Sequence, residues 1–379
     1  MLSMLTTTLS AWMTTLRHQL HAHPELALHE VATTKLIEQT LSDLGVRLLD
    51  YPGETGVVAE IGHGAPIIAL RADIDALPVE ETNDLPYTSK IPERMHACGH
   101  DFHTASLLGA ARLLKAREAD LPGTVRLIFQ PAEEGHRGAR IMIDNGVLTG
   151  VQAIAGFHNM PNLPVGTVAM KSGPLMASND NFDVRIQGQG AHAAMPEASH
   201  DPIVTLGELI GNLQTIRSRN IAPDAALVLT IGAIQAGTTY NVIPNTASLK
   251  GTIRTFNAAN RALAKQRFYE IVNATAKMNQ QAATIEWDRG PSCVTNDETI
   301  TRLLKTAFEN DFRLVPAQLC NADDDFALYQ ERVPGCYGFL GSGGTGVLHQ
   351  SNYQCDDAGL AYGARFHELA ALALLKWAQ

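Results

Sequence analysis

Four short apolar runs in this chain each end in a cluster of polar residues, and that punctuation constrains the fold more than any other feature. Pro66–Leu70 precedes Arg71-Ala72-Asp73-Ile74-Asp75, and Thr124–Phe129 precedes Gln130-Pro131-Ala132-Glu133-Glu134-Gly135. Ala153–Phe157 precedes His158-Asn159-Met160-Pro161, and Cys336–Leu340 precedes a Gly-rich loop that leads to His349. Helical stretches lie between the runs. Thr104–Ala116 carries Leu107, Leu108, Ala111 and Leu114 on one side, and Ala139–Asn145 is stopped by Gly146. Residues 11–50 read as two helices broken by His-Pro-Glu at 23–25, the second running from near His29 to Leu44 with Gly45 as its stop. Short strands alternating with helices predict an α/β domain whose mostly parallel sheet is covered by helices on both faces. Ligands of such sheets collect beyond the carboxyl ends of the strands, where every polar cluster falls.

The middle of the chain has another period. Phe182, Val184 and Ile186 alternate with polar residues, as in an antiparallel strand. Asp201–Arg219 reads as an amphipathic helix with Asp201 as cap and Pro202 at the first position. Ala226–Ile234 and Ala247–Phe256 read as strands, Asn257–Met278 as a helix and Ala282–Trp287 as a last strand. The order β-α-β-β-α-β predicts a smaller ferredoxin-like α+β domain. At 379 residues the chain is too long for one ordinary core. The expectation is a catalytic domain of residues 1–172 and 288–379, interrupted by a second domain of 173–287.

A net charge of −10 argues against nucleic acid or an anionic membrane as the main partner. No apolar run reaches the roughly 18 residues that a membrane span needs. The start lacks a basic region and a continuous apolar stretch, and Trp12, Leu16 and Leu20 fall on one helical face instead. Five widely spread cysteines are a reducing-compartment pattern, so the expected location is cytoplasmic.

The chemistry centres on Met95-His-Ala-Cys98-Gly-His100-Asp101-Phe-His103. A thiolate and an imidazole two residues apart, on backbone loosened by Gly99, suit a borderline-soft cation such as Zn²⁺. Taken alone, the stretch has a less favoured reading as a polar turn around a buried free thiol. Glu133-Glu134 follows a strand, and two adjacent carboxylates point differently. One can bind a metal while the other takes a proton from attacking water, although alone the pair could be a solvated acidic turn. His158 and His349, each by itself more often a core histidine, bring the donors to five. That is too many for one tetrahedral site and about right for two divalent ions sharing a bridging ligand and a water. Two such ions bring +4 against −3 from Cys98, Glu134 and a hydroxide. Asp73, Asp75 or Asp101 behind the ligands can hold the remainder.

At this point the sequence resembles a known family. Arg71-Ala-Asp-Ile-Asp-Ala-Leu-Pro78, Met95–Asp101, Pro131-Ala-Glu-Glu-Gly135, Gly156-Phe-His-Asn-Met-Pro161 and the Gly-x-Gly-x-His-Ala-x-x-Pro of 188–196 look like the hippurate hydrolase and auxin-conjugate (indole-acetyl-amino-acid) amidohydrolase branch of the two-metal aminoacylase and carboxypeptidase superfamily. Asn241-Val-Ile-Pro244 and Gly251-Thr-Ile-Arg254 fit the same pattern, in order, from about residue 16 to the end. The resemblance implies Cys98, His100, Glu134, His158 and His349 as ligands of two divalent ions per subunit (Zn, Mn, Co or Ni), with Glu133 as general base and later acid. It implies that the insert is a lid through which a homodimer forms, with His192 reaching a neighbouring subunit's site to steady the oxyanion. Asn241 and Arg254 would hold the carboxylate of the amino-acid half. The chain departs from the pattern at Arg71, where the wider superfamily has histidine, at Asp323-Asp324-Asp325-Phe326 for Ser-Glu-Asp-Phe, at Gln350-Ser351 and at Cys355.

The expected reaction is hydrolysis of the amide of an N-acyl amino acid, with Glu133 taking a proton from water and returning it to the leaving amine. A di-metal exopeptidase (dipeptidase or carboxypeptidase) is the near alternative. A cysteine hydrolase built on Cys98 and His100 leaves Glu133, Glu134 and His349 unexplained. A non-catalytic binding protein would not need Glu133.

Overall fold

In a computed structural model of the protein, residues 7–135 and 138–379 are described. The chain begins with α1 (Thr7–His21) and α2 (Val31–Asp43), then strands β1 (Arg47–Leu48), β2 (Val57–Gly62) and β3 (Ile67–Asp73). Next come α3 (His100–Lys115), β4 (Thr124–Gln130), α4 (Gly138–Asp144), β5 (Val151–Met160), β6 (Thr167–Met170) and β7 (Gly173–Met176). The middle holds β8 (Ser178–Gln187), β9 (Ala191–His192), α5 (Pro202–Leu213), β10 (Leu227–Ala236), β11 (Val242–Ile243), β12 (Thr246–Thr255), α6 (Ala258–Met278) and β13 (Ala282–Arg289). The last part holds β14 (Val294–Asn296), α7 (Glu298–Phe308), β15 (Arg313–Pro316), α8 (Phe326–Gln330), β16 (Gly335–Gly341) and α9 (Gly359–Ala378).

Two compact units result: one has the chain through Leu175 with Val294–Gln318 and Asp324–Gln379, the other has Met176–Cys293 and Leu319–Asp323. The first unit contains an eight-stranded sheet of order β1-β2-β4-β3-β5-β16-β6-β15. Its centre, β4-β3-β5-β16, is parallel, whereas β2 runs antiparallel to β4 and β6 to β16. The mostly parallel α/β expectation therefore holds, and the apolar runs are its buried middle. Every residue of β4 and β16 is buried, as strands covered on both faces must be. Because the four central strands share a direction, Asp73, Gln130, Met160 and Gly341 end on one edge of the sheet.

Helices cover this sheet at close range. α3 packs on α9, and α1 on α3. Glycines permit the approach: a Cβ on Gly363 would stand 2.1 Å from Ser106 Oγ, and one on Gly109 2.2 Å from Met13 Sδ. α3 starts at His100, four residues before the apolar periodicity indicates. Gly99, at φ 84°, takes the cap position in the left-handed region that favours glycine, so the helix begins inside the polar cluster. The strands β1, β2, β6 and β15 lay outside the sequence reading: β1, β6 and β15 have only two to four residues, and β2, buried along its whole length, has no polar alternation to mark it.

The second unit has the sheet order β10-β12-β8-β13, with all neighbours antiparallel. This is the split β-α-β arrangement that the alternating period predicts. Phe182, Val184, Ile186, Leu249 and Ile253 pack with Leu206, Leu209 and Leu213 of α5 and with Phe268 and Val272 of α6. The Asp201 carboxylate accepts the Ile203 N–H at 2.8 Å and caps α5 as expected. α5 ends at Leu213 rather than Arg219, and Ile216–Asn220 forms a wider turn. Thr215 and Ser218 hydroxyls there bond back to the Asn212 and Gln214 carbonyls, competing with the regular ladder.

The α3–α9 contact yields a test. Gly363→Val forces a branched side chain onto Ser106 and is expected to cost about 1–3 kcal/mol in urea unfolding; an unchanged midpoint would show that the contact is loose.

Candidate metal centre

The polar edge of the first unit assembles Cys98, His100, Glu133, Glu134, His158 and His349. Cys98 sits in the turn before α3, His100 is the first residue of α3, and the two glutamates follow β4. His158 lies near the end of β5, and His349 lies in the loop beyond β16. That loop is pinned beside the cysteine by the His349 N–H, which donates to the Ala97 carbonyl at 2.9 Å. His158 Nε2 and His349 Nε2 each stand 3.3 Å from Cys98 Sγ, and His349 Nε2 stands 3.3 Å from Glu134 Oε1. Potential ligand atoms fall into overlapping groups within 4.8 Å: Cys98–His100–His158, Cys98–Glu134–His349 and His100–Glu133–Glu134. Cys98, His100 and Glu134 are each shared by two of these groups, so the groups form one continuous cluster.

The His100 and His158 imidazoles are oriented from behind. Asp75 holds His100, whose Nδ1 lies 2.9 Å from the Asp75 carbonyl and 3.2 Å from its carboxylate. A carbonyl only accepts, so Nδ1 carries the proton and Nε2 presents its lone pair. His100 Nε2 is buried without a hydrogen-bond partner. His158 Nδ1 donates to the Asn159 carbonyl at 2.7 Å, which turns Nε2 toward Cys98. The other carboxylate oxygen of Asp75 accepts the Glu134 N–H at 3.0 Å, so one aspartate positions two candidate ligands. Asp73 pairs with His103 at 2.5 Å and with Arg71 at 2.6 Å, and stands 3.7 Å from His100 Nε2. Asp101 touches none of these groups; Arg17 and His21 hold its carboxylate at 3.0 and 2.8 Å.

Several residues that support the cluster were not singled out from sequence. His103 orders the Asp73 carboxylate and accepts the Asn159 N–H at 2.9 Å. Its signal was its place one helical turn after His100. Asn159 donates to the Cys98 carbonyl at 2.7 Å and accepts from Tyr353 Oη at 2.5 Å. A Cβ on Gly99 would stand 2.3 Å from Asn159 Nδ2, so glycine is required between Cys98 and His100.

The electrostatics describe a place built for cations. Burial, then the Glu134, Glu133 and Asp73 carboxylates, push the Cys98 thiol well above its usual range. Burial alone would lower His100, but Asp73, Asp75 and Glu134 outweigh it and raise the imidazole to about 10. A thiol that resists ionisation and an imidazole that draws a second proton both report excess negative charge. A divalent ion at Cys98 Sγ and His100 Nε2 would replace those protons. Burial brings His158 down to about 4, the neutral form that ligates. Burial, then Asp324, Glu134 and Asp325, push Glu133 well above the usual carboxyl range, which gives it a strong hold on a proton. Donor types, the orphaned His100 nitrogen and this charge balance all fit a metal pair.

In the second unit, β9 pairs with β11, with His192 opposite Val242, so His192 and Asn241 are neighbours. His192 Nδ1 accepts the Ala194 N–H at 3.1 Å. Arg254, on β12, donates to Asn179 Oδ1 at 2.5 Å and stands 3.6 Å from Asp323.

Residues 69–373 match the family described as Peptidase family M20/M25/M40. The chain is 44% identical over 363 residues to the N-acetyl-L-cysteine deacetylase of Bacillus subtilis, covering 95% of this chain and 87% of that protein. It is 37% identical to the hippurate hydrolase of Campylobacter jejuni, over 95% of this chain and 96% of that one. A crystal structure from Bacillus subtilis, described as a dinuclear metal binding peptidase from the M20 family, superposes with a TM-score of 0.89 at 40% identity, covering 98% of this chain and 99% of that one.

Asp75→Ala frees the Glu134 amide and removes the 3.2 Å carboxylate contact to His100, leaving that imidazole only the 2.9 Å bond to the residue's backbone carbonyl. Metal affinity, measured by competition with a chromogenic chelator, is expected to fall roughly 10- to 100-fold; wild-type affinity would mean that the ligands orient themselves.

Proposed function

The chain belongs to Peptidase family M20/M25/M40, and we propose that it hydrolyses N-acyl amino acids to a carboxylic acid and a free amino acid. It is a metal-dependent amidohydrolase. The proposed ligands of two divalent ions are Cys98, His100, Glu134, His158 and His349. Zn, Mn, Co and Ni all suit this mixture of sulfur, nitrogen and oxygen donors. Bound there, the ions would supply Lewis acidity and make a water molecule more acidic.

The observation that carries the reading is Glu133. Its carboxylate lies within 4.8 Å of ligand atoms on His100 and Glu134. The Asp325 N–H donates to Glu133 Oε1 at 3.3 Å. Burial and the neighbouring Asp324, Glu134 and Asp325 carboxylates raise its proton affinity. Glu133 therefore takes the proton from the attacking water and delivers it to the leaving nitrogen, one group serving first as base and then as acid. His192 is proposed to donate to the oxyanion as the carbonyl becomes tetrahedral. Arg254 offers a planar fork to the substrate carboxylate, and Asn241 a second donor.

The second unit is the proposed homodimer surface and lid. Met195, Ile203, Val204, Ile234, Tyr240 and Val242 are exposed on it, and β10 is an edge of its sheet. Five scattered thiols suit a reducing compartment, and the cytoplasm is the proposed location.

Glu133→Ala is expected to retain its metal while turnover drops by roughly 10²–10⁴-fold, whereas Cys98→Ala should lose metal in elemental analysis. Turnover at the wild-type level in the glutamate variant would remove Glu133 from the reaction. N-acetyl and N-benzoyl amino acids should be cleaved in preference to plain dipeptides with Zn²⁺, Mn²⁺ or Co²⁺; the reverse preference would make the enzyme an exopeptidase.

A further inference from the structure

Glu30 lies outside the donor cluster, yet it is fully buried at the start of α2. Its Oε1 accepts the Ala132 N–H at 2.8 Å. Ala132 is itself buried and has φ 53°, in the left-handed region that an alanine adopts only when its surroundings hold it there. The next residue is Glu133. On the far side of Glu133, the Glu134 N–H is held at 3.0 Å by Asp75. Two buried carboxylates thus accept the amides on either side of Glu133 and set the course of the backbone that presents it.

The surroundings brace the same turn. One helical turn along α2, Thr34 Oγ1 accepts the Gly56 N–H at 2.9 Å. Gly56 backs the turn closely, since a Cβ there would stand 2.7 Å from Pro131 Cδ. The start of α2 is fixed in turn by Glu25, whose carboxylate accepts the Ala32 and Thr33 N–H groups at 3.1 and 2.8 Å. The Glu25 carbonyl accepts the Ala76 N–H at 2.8 Å, next to Asp75. Both brackets of Glu133 therefore meet at the Glu25–Glu30 segment.

We propose that Glu30 is a positioning residue for Glu133: by accepting the Ala132 amide it holds Ala132 left-handed and aims the Glu133 carboxylate at the reacting water. The inference rests on the reading of Glu133 as the proton carrier. Its physical content is that Glu30 acts as a hydrogen-bond acceptor rather than as a charge. Burial, with Asp75 nearby, pushes the Glu30 carboxyl above its ordinary value, so a neutral acceptor of the same shape should serve.

The test compares Glu30→Gln, which keeps an acceptor oxygen, with Glu30→Met, which fills similar volume without one. At saturating metal, Glu30→Gln is expected to keep kcat within about threefold of wild type. Glu30→Met should lower kcat by about 10- to 100-fold while KM moves less than about threefold, as misdirection of a reacting group does. Adding Ala132→Gly to Glu30→Met should recover most of the loss, because glycine takes a left-handed conformation without help. Equal kcat in the Gln and Met variants would overturn the proposal, as would a defect confined to KM, or a loss of fold in Glu30→Met that Ala132→Gly does not repair. Glu133→Ala measured alongside separates the two claims. If it stays active, the proton-carrier reading fails and this inference with it. If it is dead while Glu30→Met matches wild type, only the role of Glu30 fails.

Discussion

The guanidinium of Arg71 underlies the whole site. It is buried, and it reaches Asp73 at 2.6 Å, Asp325 at 2.9 Å, Asp324 at 3.2 Å, the Gln130 side chain at 2.9 Å and the Tyr337 hydroxyl at 3.2 Å. Those partners come from the ends of β3 and β4, the approach to α8 and the middle of β16. One cation thus ties together strands that are distant in sequence and offsets three buried carboxylates. Removing it would strand those charges, and breaking a buried pair in this way typically costs about 3–5 kcal/mol. Against the superfamily pattern Arg71 reads as the loss of a histidine ligand. In the structure it is a fixed positive charge beneath the cluster, on a strand that still delivers Asp73 and Asp75.

Above Arg71 the negative charge is concentrated rather than relieved. Asp73, Glu133, Glu134 and the Cys98 thiol crowd together, and burial and that crowding push the Cys98 thiol and the Glu133 carboxyl up. Such a cluster is unfavourable for a protein with no cation to bind and useful to one that binds two. The same excess separates the two glutamates. Glu134, beside His349 and His100, is held below the usual range against the effect of its burial, while Glu133, beside Asp324 and Asp325, is pushed above it. Two adjacent residues of one type acquire opposite proton affinities from their neighbours alone.

A second buried guanidinium secures the loops. Arg17 of α1 binds Asp101 at 3.0 Å, the Cys355 carbonyl at 3.2 Å and Asp357 at 2.7 Å. It thereby joins the start of α3, which carries His100, to the segment that follows His349. Asn83 adds to this by donating to the Tyr353 carbonyl at 3.0 Å. Cys98, His100 and His349 sit in or beside loops, and these bonds give the loops the rigidity that strands give Asp73 and His158.

What the sequence by itself determined is the architecture and the place of the candidate donors at the ends of its strands. Apolar runs of strand length cannot be buried singly, so they had to form a covered parallel sheet, and each carried its polar residues to a shared edge. The switch to alternating residues at Phe182, Val184 and Ile186 marked a second, antiparallel unit for the same kind of reason: burial on one face only. Local patterning did not reveal the supports. Glu30, Arg71, His103 and Asn159 act mostly through partners 30 to 266 residues away, and a single buried polar residue looks the same in sequence whether it holds a ligand or fills a core. Asp101 shows the converse: it adjoins His100 in sequence, yet Arg17 and His21 hold its carboxylate, while Asp73 and Asp75, at and just beyond the end of β3, stand beside His100. Only the tertiary structure decided these assignments. Hydrogen-bond partners are set by where strand ends converge, and convergence is a property of the packed sheet rather than of any stretch of chain.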